Sequence, residues 1–181
     1  MNRRLKLINW VKAQHEGQLI KDTDAPYFEH ALSVANQVAY TGALNYEIGL
    51  CHDLFEKTNV TSDKLAAQLI DFGYEAEEAC RINNCVNQLT RHFTKANNPL
   101  PKKMRKELEN ERLLNISPDA QTVKYADFSY NADWMMKHDR HHAKDYLTRH
   151  IELIVEMTDG NADLREEVLT QLYKLLAEAV R

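Results

Sequence analysis

Apolar residues recur at three- and four-residue intervals along almost the whole chain, and no alternating apolar and polar run is long enough to require a sheet. Breakers are scarce, with 5 Gly and 4 Pro among 181 residues. The expected fold class is therefore all-α, a helical bundle of irregular design. A chain of this length fills one core and is short for two, so a single domain over residues 1–181 is expected. Helices are expected at 5–15, 28–40, 44–55, 64–72, 75–93, 102–114, 119–137, 143–158 and 162–180. Thr61 or Ser62 can cap the fourth of these and Gly73 stop it, while Ser117-Pro118 suits the start of the seventh. The stretch 94–101 holds two prolines and reads as a loop.

Charge and cysteine usage narrow the function classes. The 27 acidic residues against 23 basic ones give a net charge of -4, which offers no general attraction to nucleic acid or anionic lipid. Neither a membrane span nor a signal peptide is visible. Cys51, Cys80 and Cys85 form neither an even disulfide set nor a Cys-x-x-Cys pair, and they lie in apolar helical contexts. They read as reduced thiols in a cytoplasmic protein. Nucleic acid and membrane are thus disfavoured as partners, a small molecule is favoured, and a homo-oligomer is left open.

The chemistry concentrates in Gly49-Leu50-Cys51-His52-Asp53-Leu54-Phe55-Glu56, an adjacent His-Asp pair inside an apolar helical segment. An imidazole and a carboxylate on a core-facing stripe need partners, and a divalent metal satisfies both. His30, His52, Asp53 and Asp127 supply two nitrogen donors and two carboxylates from three helices, a mixed set suited to Mn²⁺, Fe²⁺ or Zn²⁺. A second His-Asp pair, His138-Asp139, stands among Lys137, Arg140, His141 and His142 and has the polar setting of a surface. Glu56 lies four residues after His52 and three after Asp53, where a carboxylate could orient or deprotonate an attacking water or protonate a leaving oxygen. Lys102, Arg105 and Lys106 share one helical side, which fits an anion-binding rim or a solvated face, and Lys103 points elsewhere.

Three ordered motifs, Tyr27-Phe28-Glu29-His30-Ala31, His52-Asp53-Leu54-Phe55-Glu56-Lys57-Thr58 and Lys124-Tyr125-Ala126-Asp127-Phe128-Ser129-Tyr130-Asn131, resemble those of the HD-domain phosphohydrolases. Within that superfamily they are similar to the hydrolase domain of the RelA/SpoT proteins and to the small alarmone hydrolases. His15-Glu16-Gly17-Gln18 and Phe72-Gly73 fit the same group. The resemblance implies an HD-domain helical bundle with His30, His52, Asp53 and Asp127 as metal ligands. It also implies Mn²⁺-dependent removal of pyrophosphate from the 3' position of guanosine tetra- or pentaphosphate, with substrate contacts at Lys102, Asn131 and Tyr146. Lys21 and Arg105 are further phosphate-binding candidates by charge and placement.

The chain departs from that pattern at three positions. Lys57 replaces the second acid of a usual acidic pair, which makes Glu56 and Lys57 the catalytic candidates. Ile20 stands where the family has an arginine that stacks on the guanine, and Phe128 where a basic residue follows the metal-binding aspartate. The expected function is a metal-dependent nucleotide phosphohydrolase, with a guanosine 3',5'-bis(diphosphate) 3'-pyrophosphohydrolase as its most specific form. A hydrolase of another nucleotide, or a weakly active nucleotide-binding sensor, is the alternative.

Overall fold

A computed structural model describes residues 2–180, and among them ten α-helices and no strand are found. The all-α expectation holds; the nearest approach to a sheet is one isolated bridge between Leu19 and Pro26. The helices gather into two compact units, Met1–Thr90 and Arg91–Arg181.

The first unit contains α1 (Arg3–Gln14), α2 (Tyr27–Gln37), α3 (Asn45–Cys51), α4 (Leu54–Lys57), α5 (Ser62–Phe72) and α6 (Ala76–Leu89). Its core is built from Leu7 and Val11 of α1, Ala31, Val34 and Ala35 of α2, Ile48 and Leu50 of α3, Leu65 and Leu69 of α5, and Ile82 and Val86 of α6. Helices α2 and α3 approach closely because Gly49 has no side chain: a Cβ there would lie 3.0 Å from Ala35 Cα. Thr61 caps α5 by accepting the Lys64 amide, and Gly73 ends it at φ +96°, as its sequence position implies.

Several boundaries differ from the periodicity, with α2 ending at Gln37 and the helix expected from residue 143 beginning at Arg140, and two of the differences have a visible cause. The helix expected over 44–55 breaks after Cys51, where Asp53 leaves helical geometry at φ -103°, ψ 2° before α4 begins. The helix expected to reach residue 93 stops at Leu89. There the amides of His92 and Phe93 donate to Glu109 instead of to carbonyls of a continuing helix.

The second unit contains α7 (Lys102–Leu113), α8 (Pro118–His138), α9 (Arg140–Glu156) and α10 (Ala162–Ala179), with α8, α9 and α10 packed against one another. Pro118 occupies the first turn of α8, where its missing N–H costs nothing. Buried Gln121 organises two connections at once. Its oxygen accepts the amides of Asp159 and Gly160, and its amide nitrogen donates to the carbonyls of Leu114 and Ile116. Cys51 and Cys85 are buried free thiols, whereas Cys80 is exposed, so the apolar setting read for all three applies to two.

Candidate metal centre

His30 lies one turn into α2, and His52 and Asp53 occupy the break between α3 and α4. That break brings two consecutive residues to one point. His30 Nε2 and His52 Nε2 are 3.1 Å apart, and Asp53 Oδ2 lies 3.3 Å from His52 Nε2 and 3.6 Å from His30 Nε2. Both imidazoles are buried, with 3% and 2% exposure for His30 and His52. Among the described residues this trio is the one group of three or more such side chains with donor atoms close enough to hold a metal ion.

The geometry suits a divalent ion. Bonds of about 2.0–2.2 Å to nitrogen and oxygen imply ligand-to-ligand edges of roughly 2.8–3.6 Å, the range spanned by the three donors. His52 Nδ1 donates to the Gly49 carbonyl at 2.7 Å, which fixes the neutral tautomer and leaves the Nε2 lone pair facing the cluster.

Three side chains given no role by the sequence reading surround this trio. Tyr27 donates its hydroxyl to Asp53 Oδ2 and packs its ring on His15 and His30 at centroid distances of 5.2 and 5.4 Å. His15 is buried, and burial holds its imidazole below the ordinary histidine range. Its Nδ1 meets Gln18 Oε1 at 2.9 Å, and Gln18 Nε2 donates to the Lys57 carbonyl at 2.7 Å. Tyr27 precedes His30 by three residues and so shares its helical side, a spacing that could have revealed it; the Gln18 bridge depends on tertiary packing and has no such signal.

Glu56 and Lys57 are exposed on α4, and the Lys57 ammonium stands 5.6 Å from the centre of the Tyr27 ring. Lys21 is exposed in the turn before α2, 3.6 Å from the Asp22 carboxylate. Ile20 is 8% exposed and belongs to the core.

The remaining candidates belong to the second unit. Asp127, on α8, is buried; its Oδ2 receives the Lys124 ammonium at 2.8 Å and its Oδ1 the Asn131 amide at 2.6 Å. Asn131, expected at the substrate, thus holds a carboxylate. The His150 ring packs in tilted contact with Tyr146 and Phe128, at centroid distances of 3.9 and 4.3 Å. Burial pushes the Tyr146 hydroxyl well above the usual phenol range, and burial, with Arg149 and Lys124 nearby, holds His150 down to about 3.

Lys102, Lys103 and Lys106 on α7 and Arg149 on α9 line an open depression with Glu107 and Asn110. Lys103 lies 3.9 Å from Glu107, leaving positive charge in excess, and burial together with Arg149, Lys102 and Arg91 keeps the Lys106 ammonium below its ordinary range. Arg105 turns aside and donates to the Leu100 carbonyl.

No protein-family model matches the chain, and no curated protein matches it in sequence. The fold does match solved structures. One of them, described as a metazoan ortholog of SpoT that hydrolyzes ppGpp and plays a role in starvation responses, aligns with a TM-score of 0.75 at 19% identity, covering 98% of this chain and 96% of that one. The chain therefore shares the all-helical fold of that structure over essentially its whole length.

Proposed function

We propose that this protein is a single-domain, metal-dependent phosphohydrolase of nucleotides. The convergence of His30 Nε2, His52 Nε2 and Asp53 Oδ2 within 3.6 Å of one another carries the reading. Asp127 is proposed as a fourth ligand, supported by its burial as a carboxylate and by its place in the third sequence motif. Mn²⁺ is the proposed ion, with Fe²⁺ and Zn²⁺ as competitors for the same donors. The free thiols are in keeping with a cytoplasmic setting.

A divalent ion at this centre supplies a Lewis acid for the phosphoryl group and lowers the pKa of water. Glu56 accepts a hydrogen bond from the attacking water and takes its proton, and the same carboxyl returns the proton to the leaving oxygen. Water adds to phosphorus as the phosphorus bond to the sugar oxygen breaks, so a nucleotide hydroxyl and pyrophosphate leave. Lys102, with Lys106 and Arg149 around it, offsets phosphate charge, and Lys21, Arg105 and Lys57 add positive charge. Asn131 keeps Asp127 oriented, and Tyr146 presents an aromatic edge for the nucleotide.

The fold neighbour hydrolyzes ppGpp, which makes the 3'-pyrophosphate of that alarmone the first substrate to test. Ile20 supplies no guanidinium for a purine face, and this favours a broader base range. The decisive assay offers Mn²⁺ and a nucleotide panel that includes ppGpp, with product identification. Multiple turnovers releasing pyrophosphate, lost in His52→Ala and Asp127→Ala together with Mn²⁺ binding, are expected. Tight nucleotide binding without turnover would instead favour a sensor, a reading to which Lys57 beside the centre lends weight. Neither binding nor turnover across the panel would end both readings.

A further inference from the structure

Lys57 is engaged at its backbone and at its ammonium. Its carbonyl accepts from Gln18 Nε2 at 2.7 Å, and its ammonium lies 5.6 Å from the Tyr27 ring centre, within cation–π range. Because Gln18 spends its amide nitrogen on that carbonyl, it presents its oxygen to His15 at 2.9 Å, so His15 Nδ1 carries the proton. The His15 ring packs on Tyr27, which closes a circuit of four residues, entered at position 57 through the backbone carbonyl. One member of the circuit, Tyr27, donates to Asp53 Oδ2, the oxygen that faces both imidazole nitrogens.

His15 Nε2 is buried and has no hydrogen-bond partner among the described residues. Such an orphan is destabilising, and an apolar side chain at the same place would avoid it. A histidine retained there is explained by what its other nitrogen holds.

We propose that His15, Gln18, Tyr27 and Lys57 form a cage that sets the strength of the metal centre, with Tyr27 tightening it and Lys57 loosening it. Tyr27 tightens it by fixing the Asp53 carboxylate in the one orientation that serves the imidazoles, as outer hydrogen-bond partners of metal ligands do. Lys57 loosens it because an ammonium over the ring of Tyr27, whose hydroxyl reaches Asp53, opposes a second positive charge nearby. The cage therefore gives this chain a weaker and more readily exchanged ion than an acid at position 57 would. This inference rests on the proposed metal reading.

The test measures Mn²⁺ affinity by calorimetry for the parent protein, Tyr27→Phe and Lys57→Gln, at low and high salt, with thermal melting of the metal-free proteins as the folding control. Tyr27→Phe is expected to weaken Mn²⁺ binding about tenfold with little dependence on salt. Lys57→Gln is expected to strengthen it about three- to tenfold at low salt, with the gain shrinking as salt screens the charge. Opposite signs are the signature, since mere loosening of the fold would weaken binding in both variants. If the parent binds Mn²⁺ and Lys57→Gln binds equally or more weakly, the cage inference is overturned while the metal reading stands. Should Tyr27→Phe fail to fold, the exposed Lys57 position decides alone. A parent that binds no divalent ion overturns the metal reading and the cage with it.

Discussion

At the scale of single residues, the fate of each ionisable group follows from what surrounds it. His52 keeps its lone pair toward the centre because Gly49 takes its other nitrogen. His150, sandwiched between Phe128 and Tyr146, has its pKa lowered to about 3 from 6.5. A base whose folded pKa is depressed stabilises the fold fully above its unfolded value and loses that contribution as pH falls toward the folded value. His150 should therefore cost stability between pH 6.5 and about 3, at up to about 1.4 kcal/mol per pH unit. Urea unfolding of the parent and of His150→Gln at pH 7, 5.5 and 4.5 checks this: the variant should lose less stability on acidification, and equal slopes would contradict a neutral buried His150. The sequence made His30, His52 and Asp53 visible through their apolar neighbours. It said nothing of Tyr27 on Asp53 or of Asn131 on Asp127, because such hydrogen bonds depend on rotamers that no spacing rule fixes.

At the scale of elements, helix ends marked by local chemistry were legible and those set from afar were not. Thr61, Gly73 and Pro118 act on their own helices and stand where the chain suggests. The break at His52 and Asp53 was hidden, since Leu54 and Phe55 continue the apolar period across it. The end of α6 was hidden as well, because the carboxylate that receives the amides after it comes from Glu109, 16 and 17 residues away. The contact of α2 with α3 brings the His30 and His52 imidazoles together, and it depends on Gly49. In Gly49→Ala the new methyl would meet Ala35 Cα at 3.0 Å and Val38 Cγ2 at 3.1 Å, backbone and a stiff side chain that yield little. A loss of about 1–3 kcal/mol in chemical denaturation is expected, with a parallel fall in Mn²⁺ affinity as the two histidines separate.

At the scale of the whole molecule, ligand linkage offers two further checks. An ion bound only by the folded state should raise the melting temperature with Mn²⁺ concentration, and His30→Ala should abolish the rise. Arg149→Ala should raise KM for a polyphosphorylated nucleotide several-fold, more at low salt than at high, while leaving Mn²⁺ affinity unchanged, because its charge lines the depression on the second unit. The fold class was legible from helical periodicity, and the fold neighbour bears it out across both units. How those helices divide into units was not read from the sequence, although the boundary at Thr90 lies just before the proline-containing loop 94–101. Within the second unit, the connection that leads into α8 and the turn before α10 both hang on Gln121. Neither can open without releasing the other's hold on that one amide group, so hydrogen exchange at Asp159 and Gly160 should report the breathing of residues 114–116, and their opening should register as one cooperative event.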